Sequence, residues 1–164
     1  TTLDAKLART MEPRASTPAK RMEAMKLLSE AGVPVGVMVA PIIPALNDAE
    51  IEKILTGAHY AGAQSAGFVL LRLPLEIKDL FEDWLKANEP NRADRIMSLI
   101  RSTRGGKAYD SDFTQRMRGT GPYAWQISRR FELACKKLGL ARGGWNVNSS
   151  NFRVPGRGKQ LELI

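Results

Sequence analysis

Three short stretches carry the side chains with which this chain could do chemistry. The first is Thr1-Thr2-Leu3-Asp4 with the nearby Glu12-Pro13-Arg14, the second is Ala40-Pro41-Ile42-Ile43-Pro44, and the third is Leu71-Arg72-Leu73-Pro74. Thr2 and Asp4 can hydrogen-bond ribose hydroxyls or an amino group, Glu12 can accept from an ammonium, and Arg14 can clamp a carboxylate in bidentate fashion. A local Glu–Arg pair beside ordinary helix-entry residues would read the same way. Arg72 follows a run of apolar residues and precedes a proline, where a charge must find a partner or face a cleft. The prolines of the second stretch form a stiff wall that can lie against a planar ring or simply shape a turn.

Other chemistries find no support. Cys135 is the single cysteine and His59 the single histidine, so this chain alone makes neither a disulfide framework nor a zinc site built on several such ligands. No HExxH, GxSxG or Walker lysine motif occurs, and Gly105-Gly106-Lys107 is only a weak phosphate candidate because no strand visibly feeds it. His59 reads as a surface or structural residue and Cys135 as a buried, inert thiol.

The elements that must position the three stretches follow from apolar periodicity and turn residues. Thr17-Pro18 reads as the cap and first position of a helix whose face carries Ala24, Leu27, Leu28 and Ala31, with Gly32 as its stop. Val35 to Ala40 then reads as a strand covered on both faces. Asn47 and Glu50 have the spacing of a reciprocal capping box, leading a helix with Ile51, Ile54, Leu55 and Ala58 inward and Gly62 as its stop. A second strand runs from Ala66 to Leu71. The two units match at an offset of 30 residues, Ala31-Gly32 with Ala61-Gly62 and Pro44 with Pro74. Helix, glycine stop, buried strand and proline-bearing loop occur twice, which predicts consecutive parallel strands joined by helices. In such architectures ligands meet the loops at the carboxyl ends of the strands, so the three stretches converge if the strands are neighbours.

After residue 74 the pattern turns helical: Leu75 to Lys86, Asn91 to Arg101 and, beyond a polar glycine-bearing stretch, Pro122 to Leu138. The fold class is α/β, and two strands alone leave sheet edges open, so the reading is the rear portion of a larger α/β domain. Its parts are a strand-bearing segment 1–74, a helical extension 75–140 and a basic, irregular tail 141–164.

Charge is uneven along this 164-residue chain of net charge +8. Residues 1–82 hold 9 lysines and arginines against 10 acids, and residues 83–164 hold 16 against 7. A basic C-terminal half can steer toward polyanions such as nucleic acid, or be a solvated helical surface. The apolar run Val33 to Leu46 is too short and too proline-rich for a membrane span, and no secretory signal opens the chain, so a cytoplasmic location is expected.

Thr2-Leu3-Asp4, Glu12-Pro13-Arg14, Arg21 and the whole run from Ala31 to Asp48 resemble the rear half of a radical S-adenosylmethionine enzyme. The most similar subgroup is an uncharacterised bacterial one related to spore photoproduct lyase. Ala66 to Pro74, Leu75 to Phe81, Met97 to Arg101 and Arg116 to Tyr123 continue the resemblance, which covers nearly the whole chain. It implies a fragment of a partial (β/α)₆ TIM-like barrel followed by a mostly helical extension. It further implies an enzyme in which a 4Fe–4S cluster, held by a CxxxCxxC loop near the first strand, cleaves S-adenosylmethionine to a hydrogen-abstracting 5′-deoxyadenosyl radical. On that resemblance Thr1, Thr2 and Asp4 lie where the fourth strand ends near the ribose. Glu12 and Arg14 would be polar contacts to cofactor or substrate. Val39, Ala40 and Pro41 end the fifth strand near the adenine, and Leu71 and Arg72 end the sixth. No CxxxCxxC occurs here. The chain is therefore expected to be inactive alone, with the front half of the same barrel as its missing partner.

The last residues, Gln160-Leu161-Glu162-Leu163-Ile164, resemble the Gln-Leu-x-Leu-Phe peptide that docks bacterial repair and replication proteins on the sliding clamp. Gln160, Leu161, Leu163 and Ile164 would be the contacts, filling a hydrophobic groove. With the basic C-terminal half, this keeps open the alternative of a non-enzymatic nucleic-acid or repair-complex module.

Overall fold

The computed structural model describes residues 2–109, 112, 115–142 and 150. In chain order these form α1 (Ala5–Met11), α2 (Pro18–Glu30), β1 (Val35–Ile42), a 3₁₀ turn (Asp48–Glu50), α3 (Ile51–Tyr60), β2 (Ala63–Leu70), α4 (Ile77–Asn88), α5 (Ala93–Ser102) and α6 (Gly121–Leu138). The architecture is mixed α/β, with β1 and β2 paired in parallel as an open sheet of two strands among the described residues. The sequence pattern did not reveal α1. It exists because the Asp4 carboxylate accepts from the Lys6 and Leu7 amides at 2.7 and 3.1 Å, filling the orphan donors of a first turn.

The repeat is visible in the backbone. Ala31 and Ala61 close α2 and α3 with nearly the same dihedrals, φ −79° and −82°. Gly32 and Gly62 then turn left-handed at φ 76° and 91°. The connections differ, however. Val33 and Pro34 separate Gly32 from β1, whereas β2 begins directly after Gly62 and so three residues earlier than its apolar run suggested.

Two apolar clusters hold the molecule. In the first, Val37 and Val39 of β1, Ala66 and Leu70 of β2 and the inward row of α3 pack against Ala124, Ile127, Phe131 and Cys135 of α6. Phe68 meets Phe131 at a ring-centroid distance of 4.8 Å. Ile51, Ile54, Leu55 and Ala58 are all buried, as their 3.6-residue spacing required. The second cluster joins Ile43 and Leu73, from the loops after the strands, to Leu85 of α4 and Ala93, Ile96, Met97 and Ile100 of α5. The helical C-terminal segment thus packs on the sheet at two places, α6 against its helical face and α4–α5 against its carboxyl end.

Three expectations need correction. β1 is not covered on both faces: Met38 is 56% exposed and Gly36 is exposed, while Val35, Val37 and Val39 are buried. The apolar face of α2 is not a core face within this chain either, since no residue of α2 is buried and Leu27 and Leu28 stand in solvent. Asn47 does not cap a helix; its Oδ1 accepts from the Ile43 amide at 2.7 Å and its Nδ2 donates to the Pro41 carbonyl at 3.0 Å. The side chain stitches the proline loop closed because the loop's own polar groups, once buried, needed partners.

Candidate functional site

Strand pairing decides which side chains share a face. Gly36 pairs with Ser65 and Met38 with Gly67, and paired residues of a parallel ladder point the same way. These four line the face opposite the α3–α6 core. Met38 lies across Gly67 so closely that a Cβ there would stand 2.6 Å from the Met38 sulfur. They floor an open cleft of about 720 Å³ that Arg118 and Arg142 border. Arg142 is held by Glu132 at 3.2 Å. A smaller cleft of about 210 Å³ continues past Gly36 and Met38 to Thr2, Arg21 and Met22.

The two sheet edges are unlike. Along β2, the Ala66 amide donates to the Ala141 carbonyl and the Ala141 amide to the Gln64 carbonyl, both at 2.9 Å. The Leu70 amide donates to the Met117 carbonyl at the same distance. That edge is closed by irregular chain. No third strand pairs with β1 among the described residues.

The three polar stretches do come together at the carboxyl end of the sheet. The Thr2 hydroxyl donates to the Glu50 carboxylate, and the Leu3 amide adds a bond to the same oxygen at 3.3 Å, tying the N-terminal stretch to the turn after β1. Thr2 is buried and Asp4 is engaged with the first turn of α1, so the Thr2 hydroxyl and one Asp4 carboxylate oxygen already have protein partners. Glu12 pairs with Arg21 at 2.7 Å, not with Arg14, and this bond holds its carboxyl below the usual carboxylate range. Arg14 is exposed. Val39 is buried in the first cluster and Pro41, reached through a cis peptide from Ala40, is half-buried. The proline wall does not stand free: Ile43 and Pro44 are buried, and Ile43 packs with Leu71, Leu73 and Met11 beneath α4 and α5. The Trp84 indole donates to the Thr10 carbonyl at 3.1 Å, closing this roof over α1.

Arg72 is half-buried and has no carboxylate within ion-pair distance among the described residues. Its Nη2 donates to the Tyr109 hydroxyl at 3.3 Å, its Nη1 meets the Met117 sulfur at 3.8 Å, and the guanidinium lies 5.8 Å from the Tyr109 ring centroid. Its Nε is buried and makes no hydrogen bond among the described residues.

Two groups of polar residues escaped the sequence pattern. Arg104 is 2% exposed and donates to the Leu70, Leu71 and Gln115 carbonyls at 3.2, 3.0 and 3.3 Å. It clasps the carboxyl end of β2 to the loop that returns along it. A single arginine in a polar stretch carries no signal of burial. The second group anchors α6: the Tyr123 hydroxyl donates to Asp48 at 2.7 Å, and Arg130 forks onto Glu52 at 2.8 and 2.7 Å. Burial, then the bond to Asp48, pushes the Tyr123 hydroxyl up to about 12. The Arg130 fork holds Glu52 below the carboxylate range.

At Gly105-Gly106-Lys107, the Gly106 and Lys107 amides already donate to the Arg101 and Arg104 carbonyls, so they do not point at an anion. His59 is exposed beside Tyr60, and Cys135 is buried. Among the described residues no three His, Cys, Asp or Glu side chains are grouped to hold a metal, and no helix is long and apolar enough to cross a membrane. Thr1 and the terminal Gln160, Leu161, Leu163 and Ile164 lie outside the described residues.

No protein-family model matches the chain, and no solved structure does. Over 100 residues it is 30% identical to uncharacterized proteins of Mycobacterium tuberculosis strain H37Rv and of Mycobacterium bovis. The match spans 60% of this chain but only 29% of each relative.

Proposed function

We propose that this chain forms the closing portion of a radical S-adenosylmethionine enzyme, supplying one wall of its ligand cleft. The observation that carries the reading is one-sidedness. The helices α3 and α6 pack on the Val37–Val39 face of the β1–β2 pair, while Gly36, Met38, Ser65 and Gly67 line an open cleft. A doubly wound sheet would bury both faces under helices; a barrel turns one face inward and wraps helices round the other. An edge closed along β2 and, among the described residues, not joined to a third strand along β1 suits the last strand of a partial barrel whose earlier strands would lie beyond β1. The fraction of the relatives' length that the chain matches is in keeping with a larger parent.

The residues present do not fit an iron–sulfur cluster. Such a cluster needs several thiolates, and the one cysteine is buried in the first apolar cluster with its thiol pushed up by desolvation. The cluster ligands would have to come from outside these 164 residues. What this chain would contribute is positioning: Thr2 and Glu50 brace the end of the preceding strand, Asn47 sets the Ala40–Pro41 loop, and Arg104 sets the Leu71–Arg72 loop. Ala40, Pro41, Leu71 and Arg72 would face cofactor or substrate across the strand ends. Glu12 would orient through Arg21, leaving Arg14 as the exposed charge at the rim.

The test is anaerobic reconstitution of the parent protein, with 5′-deoxyadenosine release read by chromatography. Release that falls at least about tenfold in Arg72→Ala supports the reading. A parent with no three-cysteine loop, or a reconstituted parent that releases no 5′-deoxyadenosine, refutes it.

A further inference from the structure

Among the described residues, Arg72 is a charge without a counter-charge. A guanidinium is always protonated, and removing it partly from water is costly unless an anion or good acceptors compensate. What it has instead is soft: a long hydrogen bond to a phenol, a thioether and the face of the same Tyr109 ring. The edge of a guanidinium that reads an oxyanion is the fork made by Nε and its neighbouring Nη, which presents two parallel N–H donors. In Arg72 one tine, Nε, is unbonded, and the other is occupied only by the Tyr109 hydroxyl at 3.3 Å. The base of the fork is held firmly, since Arg104 donates to the carbonyl of Leu71 immediately before it and the Leu71 amide donates to the Ile42 carbonyl at 2.9 Å.

We propose that Arg72 is an oxyanion receptor at the carboxyl end of β2, and that Tyr109 is its displaceable cover. The ligand is a small molecule bearing a carboxylate or a phosphate. Rotation of the Tyr109 side chain exposes the fork, and the oxyanion takes both tines, replacing one long bond to a neutral phenol with two bonds to an anion. This inference rests on the surroundings of Arg72 alone. It stands whether or not the parent protein cleaves S-adenosylmethionine, and its test involves no turnover.

The experiment follows the arginine Nε–H resonances of ¹⁵N-labelled protein during separate titrations with sodium phosphate and sodium acetate, against chloride at matched ionic strength. The Arg72 Nε–H signal should move saturably with at least one of the two anions. The tighter of them names the ligand as phosphate-bearing or carboxylate-bearing. Tyr109→Phe removes the competing hydroxyl and should tighten binding about 3- to 10-fold. Arg72→Lys keeps the charge but loses the fork and should weaken binding at least about tenfold. No saturable shift in the unmodified protein overturns the proposal, and so does a saturation that Arg72→Lys leaves unchanged. Weaker binding in Tyr109→Phe would show that the phenol is part of the receptor and would overturn its role as a cover.

Discussion

Gly32 and Gly62 occupy equivalent places in the repeat, yet replacing each by alanine should have unequal costs. Both adopt a left-handed φ, where an L-residue's Cβ crowds the next carbonyl at about 1–2 kcal/mol. At Gly32 a Cβ meets nothing within 4 Å, so that backbone term is the whole cost. At Gly62 the Cβ would stand 2.1 Å from the Ser29 Oγ and 2.5 Å from the Ser29 Cβ. Rotation of the hydroxyl removes the first overlap. It cannot remove the second, because the Ser29 Cβ is bonded to the backbone of α2, so the helix itself must shift. Overpacking of this kind adds about 1–3 kcal/mol, which brings Gly62→Ala to about 2–5 kcal/mol. Urea denaturation followed by circular dichroism reads both values as midpoint shifts at constant slope. Ser29→Gly provides the decisive background: it deletes both colliding atoms at a helix-propensity cost of about 1 kcal/mol. There, Gly62→Ala should cost no more than Gly32→Ala does in the parent sequence. Equal costs for the two single replacements, or a Gly62→Ala cost that Ser29→Gly does not lower, would refute the reasoning.

Tyr123→Phe deletes the hydrogen bond to a buried carboxylate and should destabilise by about 1–2 kcal/mol at neutral pH. Because the folded Tyr123 hydroxyl is pushed from 10 to about 12, its contribution is intact below pH 10 and is lost as pH rises through 12. A pH series of chemical denaturation should therefore show an alkaline slope in that window that is absent from Tyr123→Phe; a slope that survives the replacement refutes the assignment. Phe131→Ala empties the centre of the first cluster and should cost about 3–5 kcal/mol by the same denaturation measurement, against under about 0.5 for an exposed-face change such as Lys136→Ala. Cys135, desolvated and raised above the ordinary thiol range, should react with a disulfide reagent only as fast as the protein opens; labelling at the rate of a free thiol in native buffer would show that the α6 core is open.

The local order of this protein was legible from residue types alone. Thr17-Pro18, the inward row from Ile51 to Ala58 and the glycine stops each act within one or two helical turns. The terms that decide them, capping, periodicity and left-handed φ, are local energies that a neighbouring residue supplies. Parallel β/α alternation followed from the repeat for the same reason. The convergence of the Thr2, Pro41 and Leu71 stretches was also foreseeable, since parallel strands put their carboxyl ends side by side.

What only the tertiary structure decided is which face of each element is covered and which polar atoms are already committed. The alternation Gly36, Val37, Met38, Val39 reads as uniformly apolar, but burial depends on what packs there, and it is the valines that are buried. Asp4 and Glu12 looked available for a ligand in sequence; Asp4 caps α1, and Glu12 is engaged by the guanidinium of Arg21. Arg72 and Arg104 are the same residue type in apolar-flanked and polar-flanked settings, yet it is Arg104 that is fully buried. Arg104 sinks because three carbonyls at a strand end converge on it, whereas Arg72 keeps an unfilled fork because its neighbours are a phenol and a thioether. Desolvation and hydrogen-bond satisfaction depend on atoms distant in sequence, so no local pattern could have separated them.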